Sequence, residues 1–404
     1  MKKLLLYLSS NNNDIYLGDI FVDTIHGEEV FSFSFSDEYL SNNKEILIDP
    51  ELNNYKGRQY SSKGVFGFIK DMIPDRFGKL LIDKQEKELS IREKRDIKKL
   101  NDSDYLERVN DLSRMGALRI KSERNGVFLN DNKDSIPPYI YLRDVEYASL
   151  ELEKNDKIDS QLFARLLLPS SSLGGARPKA NVYINNEVYI AKFPSRNDSY
   201  DVELLEYITL DIAKLCELNV PEIKLDKFSS FGHTLLIKRF DRNEAGRVHY
   251  ISGVTALMAS DGDSGDYSYY DLTEFITSNC SDVKKNKLEL YKRLMFNYLI
   301  NNTDNHLRNH AFIINNNVVG LSPLFDVNPS IFKTEFALPL TVGYLSKESI
   351  INESIYYSVD IDTAEKMYNS MAEIVMAKLK ESIIKFPSIK NEIEIILNIV
   401  KQRI

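Results

Sequence analysis

Asn301-Asn302-Thr303-Asp304-Asn305-His306-Leu307-Arg308-Asn309, then an apolar run at 311–314, a turn at Asn315-Asn316-Asn317, a second run at 318–321 and Leu324-Phe325-Asp326-Val327: on this stretch the fold reading turns. Two β-rich runs around asparagines predict a hairpin, because Asn tolerates the left-handed backbone angles of a tight turn. Asp304 stands five residues before Asn309, and Asp326 follows the hairpin. A carboxylate able to orient an attacking hydroxyl, and an amide and a second carboxylate able to act as hard oxygen ligands, are thereby strung along one loop, hairpin and loop. The plain alternative is an Asn-rich loop with an incidental aspartate; order and spacing argue against it.

Upstream, Ser170-Ser171-Ser172-Leu173-Gly174-Gly175-Ala176-Arg177-Pro178-Lys179 precedes residues 182–193, two β-rich runs around Asn185-Asn186 that predict another hairpin. Two glycines allow close backbone approach to a ligand, and small hydroxyl residues with open N–H groups can hold phosphate oxygens. Such clusters are most often plain loops, and the spacing is not that of a Walker A loop. Lys192 shares a strand face with Val188 and Ile190, so its stem is expected to be buried and its ammonium to need an anionic partner. The bland reading is a strand-end lysine reaching to water. Glu206 is one possible partner, on a helix predicted from Leu205, Ile208, Ile212 and Leu215.

The rest of the chain sets bounds. With 404 residues, 43% hydrophobic and 28% charged, it is long enough for two or three globular domains. Sixty acidic against fifty-two basic side chains leave a net charge of -8, which argues against a broad basic surface for nucleic acid. Cys216 and Cys280 are too few for a disulfide scaffold and fit a reducing compartment. Leu4-Leu5-Leu6-Tyr7-Leu8 stops at two serines and reads as a first strand rather than a signal peptide, and no run suggests a membrane span. Short apolar runs to about residue 85 predict an N-terminal α+β module; helical periodicity beyond residue 270 predicts a mostly helical C-terminal part, with Asp362 and Glu365 as a helix cap and its partner. Residues 83–99 read as a solvated helix face, and residues 130–138, ending in two prolines, as a linker or long loop near a domain boundary. Residues 260–266 look like a calcium loop, but the twelfth position from Asp261 is Leu272 where a glutamate is needed; the histidines lack zinc spacing.

Asp304, Asn309 and Asp326 reproduce the order in which protein kinases carry a catalytic aspartate, a metal-binding asparagine and a second metal-binding aspartate. Around them stand Ser172-Leu173-Gly174-Gly175-Ala176-Arg177-Pro178-Lys179, Ile190-Ala191-Lys192-Phe193-Pro194, Leu218-Asn219-Val220-Pro221, Lys238-Arg239-Phe240-Asp241-Arg242 and Pro323-Leu324-Phe325-Asp326-Val327. With these signatures, spread over roughly residues 165 to 335, the chain resembles the HipA-type serine/threonine kinases, the toxins of bacterial type II toxin–antitoxin pairs. Weaker matches at residues 67–76 and 116–119 extend the likeness toward the N-terminus.

The resemblance implies a two-lobed, protein-kinase-like α+β fold: an N-terminal α+β module over residues 1–135, the Gly-rich loop and hairpin of a kinase N-lobe over 136–255, and a mostly helical C-lobe over 256–404. It implies ATP and Mg²⁺ as cofactors, with Ser172, Gly174, Gly175, Ala176 and Lys179 around the nucleotide, Lys192 on its phosphates, Glu206 orienting Lys192, and Lys238, Arg239 and Phe240 at the hinge beside adenine. Asp304 would be catalytic, with His306 assisting it or capping the loop; Asn309 and Asp326 would hold Mg²⁺. Autophosphorylation would fall on Ser172, with Ser170 the next candidate. The implied partners are a protein substrate of the translation machinery, such as an aminoacyl-tRNA synthetase, and a HipB-like DNA-binding antitoxin; the setting is the cytoplasm. A catalytically quiet antitoxin-binding corepressor and a small-molecule kinase on the same fold are the competing readings.

Overall fold

A computed structural model describes residues 1–10, 13–42, 46–154, 160–170, 175–260, 262–340 and 345–404. Internal contacts divide the chain into two compact units: residues 1–196 with 238–251 and 314–317, and residues 197–237 with 252–313 and 318–404.

The first unit opens with an antiparallel sheet of β1 (Lys2–Ser10), β2 (Asn13–Ile25), β3 (Glu28–Phe35), β4 (Gln59–Tyr60) and β5 (Leu118–Lys121), in the order β4-β3-β2-β1-β5. The period of two does the sorting: Leu4, Leu6 and Leu8 meet Phe31, Phe33 and Phe35 in one core, while Leu5 and Tyr7 point the other way against Phe128. Burying each such side chain contributes about 1.5–3 kcal/mol. The β2–β3 turn is tight, with His26 and Gly27 at positive φ.

Helix α1 (Arg76–Glu93) follows Asp75, which caps it, and ends on Lys94 in the left-handed conformation. Residues 83–99 are therefore not one solvated helix face. Glu86, spaced to face inward, is 1% exposed and is gripped by Arg95 at 2.5 Å and Arg108 at 2.7 Å. Those two hydrogen bonds, Arg95's first, pull its carboxyl down to about 2.

Residues 130–138 form a long loop tied to the unit rather than a free linker. The Asn110 amide donates to the Asn130 carbonyl, the Ser135 hydroxyl donates to Asn110 Oδ1 at 2.8 Å, and Ser135 and Ile136 are buried. Beyond them lie α2 (Leu142–Lys154), α3 (Ser160–Ser170), β6 (Lys179–Ile184) and β7 (Glu187–Lys192). β6 and β7 form the expected hairpin, with Asn185 and Asn186 both at positive φ.

In the second unit, α4 (Val202–Leu215) is capped by Asp201 and buries Leu204, Leu205, Ile208 and Ile212. β8 (Ile223–Asp226) pairs antiparallel with β9 (Thr234–Lys238). Next come α5 (Tyr269–Asn279), α6 (Val283–Leu299), strands β10 (Ala311–Asn315), whose residues 314 and 315 count with the first unit, and β11 (Val318–Leu321), and the long helices α7 (Ile361–Lys385) and α8 (Lys390–Gln402). The cap of α7 is Asp360, which accepts the Thr363 N–H, rather than Asp362; Asp362 lies inside the first turn. Among the described residues no helix is long and apolar enough to cross a membrane. Cys216 and Cys280 are free and buried, and burial pushes both thiols up to about 12.

Candidate active site

The loop after α6 is built from asparagines because it turns sharply and must satisfy its own backbone. Asn301 takes the left-handed conformation at the end of the helix. Its side chain donates to the carbonyls of Ser330 at 2.6 Å and Lys333 at 2.8 Å and accepts from Arg403 at 2.7 Å. The Tyr269 hydroxyl, brought in by α5, accepts from the amides of Asn297 at 3.0 Å and Asn305 at 2.9 Å. Asn302 in turn donates to Asn297 Oδ1 at 3.0 Å. Each of these amides is buried, so each bond both satisfies a desolvated group and fixes the loop.

On that frame Asp304 stands outward, its side chain 73% exposed. Asn309, nearly buried, donates its Nδ2 to the Asp304 main-chain carbonyl at 2.7 Å. His306 Nε2 lies 3.9 Å from Asp304 Oδ1, longer than a hydrogen bond. His310 closes the loop from below, edge-on to Tyr269 and 2% exposed. Its carbonyl accepts the Gly253 N–H at 2.7 Å.

Past the hairpin, Asp326 has φ 56, a conformation that costs a non-glycine residue free energy and recurs where function over-determines the backbone. Asn328 donates to its Oδ1 at 3.2 Å. The Leu324 N–H bonds the Asn219 carbonyl at 2.7 Å, which ties the 218–221 signature to the 323–327 signature. Arg293, fully buried on α6, holds the Ser322 carbonyl at 2.5 Å and Glu289 at 2.9 Å.

In the first unit, Lys179 and Lys192 are direct cross-strand partners in the β6–β7 ladder and each is 8% exposed. Directly opposite residues of an antiparallel pair share a face, with Cβ atoms about 5 Å apart, and like charges so placed repel. Gly175 has φ +86, and a Cβ built on it would stand 2.5 Å from Lys179 Nζ; the ammonium packs over a residue that only glycine can supply. Ala176 follows it toward β6. Ser171 to Gly174, including the candidates Ser172 and Gly174, lie outside the described residues. Ser170 is described: it ends α3 with its side chain wholly buried.

The 238–242 signature, expected at the hinge, is an internal anchor. Arg239 sends Nε and Nη2 to Asp241 at 2.8 and 2.6 Å, and Nη1 to Asn181 Oδ1 at 2.6 Å and the Ser113 carbonyl at 2.7 Å. Its guanidinium is thereby consumed inside the unit, and its backbone N–H bonds the Val188 carbonyl at 2.9 Å. Asp241 also accepts the Gly116 N–H at 2.7 Å. Burial works against its charge, but Arg239 and Arg242 hold its carboxyl well below the usual carboxylate range. Lys238 pairs with Glu187 at the surface, and Phe240 lies against Tyr250.

Glu206, 2% exposed on α4, belongs to the second unit with Asp304, His306, Asn309 and Asp326; Gly175, Lys179, Lys192 and Lys238–Phe240 (residues 238–240) belong to the first. Residue spacing alone did not reveal Tyr269, Asn297 and Gly253, which bond to the loop, or Arg293, which holds the Ser322 carbonyl before Asp326. Asn219 could have been found, because it stands inside a quoted signature.

An aspartate–asparagine loop, a hairpin, a second aspartate and a lysine-paired hairpin are the layout of a kinase-type chain. The chain belongs to the HipA-like family: the HipA-like C-terminal domain matches residues 171–383, more than half of it. It is 27% identical over 241 residues, 53% of its length, to a protein of Haemophilus influenzae named "Putative kinase". It is 30% identical over 189 residues, 43% of its length, to "Putative kinase Y4dM" of Sinorhizobium fredii. It is 23% identical over 187 residues, 39% of its length, to the "Serine/threonine-protein kinase toxin HipA" of Shewanella oneidensis. These stretches span 66%, 41% and 43% of the three relatives, less than two thirds of each. A solved chain from the Shewanella oneidensis complex of HipA, HipB and operator DNA superposes with a TM-score of 0.71 at 16% identity, covering 99% of this chain and 97% of that one. The likeness is one of fold, and the kinase-like two-lobed α+β fold expected from the sequence is the fold the chain has.

Proposed function

We propose that the chain is an ATP- and Mg²⁺-dependent serine/threonine protein kinase of the HipA toxin type, acting in the cytoplasm. The observation that carries this reading is the Asp304–Asn309 loop, in which Asp304 turns its carboxylate outward while its main-chain carbonyl accepts the Asn309 amide N–H, leaving an amide oxygen that suits a hard cation. Asp304 would orient the attacking hydroxyl and accept its proton. Asn309 and Asp326 would hold Mg²⁺, and Lys179 and Lys192, with the N–H groups around Gly175 and Ala176, would hold the nucleotide phosphates. Bound Mg²⁺ would supply charge neutralisation on the transferred phosphoryl group. Glu206 would orient Lys192, the backbone of Lys238, Arg239 and Phe240 would border adenine, and His306 would support the loop. Ser172 is the autophosphorylation site this reading favours over Ser170, whose hydroxyl is buried.

The substrate in this reading is a protein of the translation machinery, an aminoacyl-tRNA synthetase being the kind the family resemblance implies. The partner is a HipB-like antitoxin, a reading supported by likeness of fold to a chain solved with HipB and operator DNA. The test is phosphotransfer from labelled ATP in a lysate. Asp304→Asn should fold normally and lose about 10² to 10⁴-fold of transfer, and Asp326→Ala should lose Mg²⁺-dependent ATP binding by calorimetry. Near-normal autophosphorylation in Asp304→Asn would sink the assignment.

A further inference from the structure

Asp75 does two jobs with its two carboxylate oxygens. Oδ1 accepts the Arg76 N–H at 2.8 Å at the start of α1, and Oδ2 accepts the Gly175 N–H at 2.9 Å, a hundred residues away. The Phe77 N–H of the same helix turn donates to the Gly175 carbonyl at 3.1 Å. Both backbone groups of Gly175 are thus held by the first turn of an 18-residue helix. A carboxylate there is favoured by the helix dipole, and charge-assisted bonds to N–H groups are stronger than neutral ones. Gly175 is also the residue over which the Lys179 ammonium packs: a Cβ built on it would stand 2.5 Å from Nζ and displace that tip, and its φ of +86 disfavours any side chain there.

We propose that Asp75 is a positioning residue of the nucleotide site: it holds Gly175 in its left-handed conformation and, through it, sets where the Lys179 ammonium lies. The proposal rests on the reading of Lys179 as a phosphate-binding residue. A merely structural Asp75 would be a helix cap and nothing more, and chemistry separates the two roles. Serine caps helices as well as aspartate does, but its single short hydroxyl cannot also reach Gly175. Asparagine keeps one acceptor and turns a donor toward the second N–H, so it loses one of the two bonds.

The experiment compares the full chain with Asp75→Ser, Asp75→Asn and Asp75→Ala. Mg²⁺–ATP affinity is read by calorimetry, the ATP KM and kcat by autophosphorylation, the melting temperature by calorimetric scan, and the Gly175 amide by hydrogen exchange. Asp75→Ser should keep the melting temperature within about 2 °C, speed exchange at Gly175, and raise Kd and KM for ATP about tenfold with kcat changed less than twofold. Asp75→Asn should fall between it and the parent, and Asp75→Ala should add a lower melting temperature. A parent chain that binds no nucleotide would overturn the kinase reading and this proposal with it. A parent that binds ATP beside an Asp75→Ser protein that binds it equally well would overturn the positioning role alone.

Discussion

Asn309 donates its amide N–H to the main-chain carbonyl of Asp304 across five residues, at 2.7 Å. That bond gives the amide a direction, because with Nδ2 held by the loop its oxygen is the group left to meet a cation. Asn309→Asp should therefore keep an oxygen ligand and lose the donor. We expect Mg²⁺-dependent ATP affinity to change less than tenfold while phosphotransfer drops roughly 10 to 100-fold from a loosened Asp304. Asn309→Ala should lose both. Equal transfer by Asn309→Asp and the parent would show that the bond does not position Asp304.

Gly253 is glycine because of a carbonyl. A Cβ there would stand 2.5 Å from the Leu307 oxygen and 3.2 Å from that of His310, both backbone atoms of the loop. A backbone cannot swing aside as a flexible side-chain tip can. Gly253→Ala should destabilise the chain by about 2–4 kcal/mol and shift the loop, so that a urea titration shows a lower midpoint and transfer falls further than the folded fraction does. A midpoint unchanged from the parent would contradict the close approach.

Acid should weaken the fold before the surface carboxylates titrate. Burial drives His310 down to about 3, with Arg293 and His306 adding to the shift, and drives His249 down to about 4. Unfolded, each would titrate near 6.5. Between those values the unfolded chain binds protons that the folded chain refuses, so stability falls as pH drops below about 6.5, by at most about 1.4 kcal/mol per pH unit for each histidine. Asp49 opposes this: burial raises it to about 6, so the folded chain gains protons there first. His310→Phe keeps an edge-on ring against Tyr269, and its urea midpoint should fall less than the parent's between pH 7 and 5. Parallel curves would show that His310 does not stay neutral.

Much of the site was legible because its chemistry depends on local order. Asp304, Asn309 and Asp326 fall on one loop, hairpin and loop, and the Asn185-Asn186 and Asn316-Asn317 turns carry their own backbone preference, all four residues having positive φ. The alternating Leu4 to Leu8 and Phe31 to Phe35 runs specify strands for the same reason, a period of two that one buried face enforces. Two readings failed. Glu86 looked solvated among its charged neighbours until Arg108, distant in the sequence, reached it, and α7 starts earlier than its spacing suggested, with Asp360 rather than Asp362 as its cap; residues 130–138 are the loop of their two readings, held by Asn110.

What the sequence by itself determined is the set of candidate site groups and the strands and turns that carry them, since residue type and short-range spacing suffice for both. What only the tertiary structure decided is how those groups are held. The Tyr269 hydroxyl between Asn297 and Asn305, the Arg239 fork spent on Asp241 and Asn181, and Asp75 joined to Gly175 are each made by residues far apart along the chain. A buried amide, guanidinium or N–H must find a partner in space, and sequence separation places no bound on where that partner comes from.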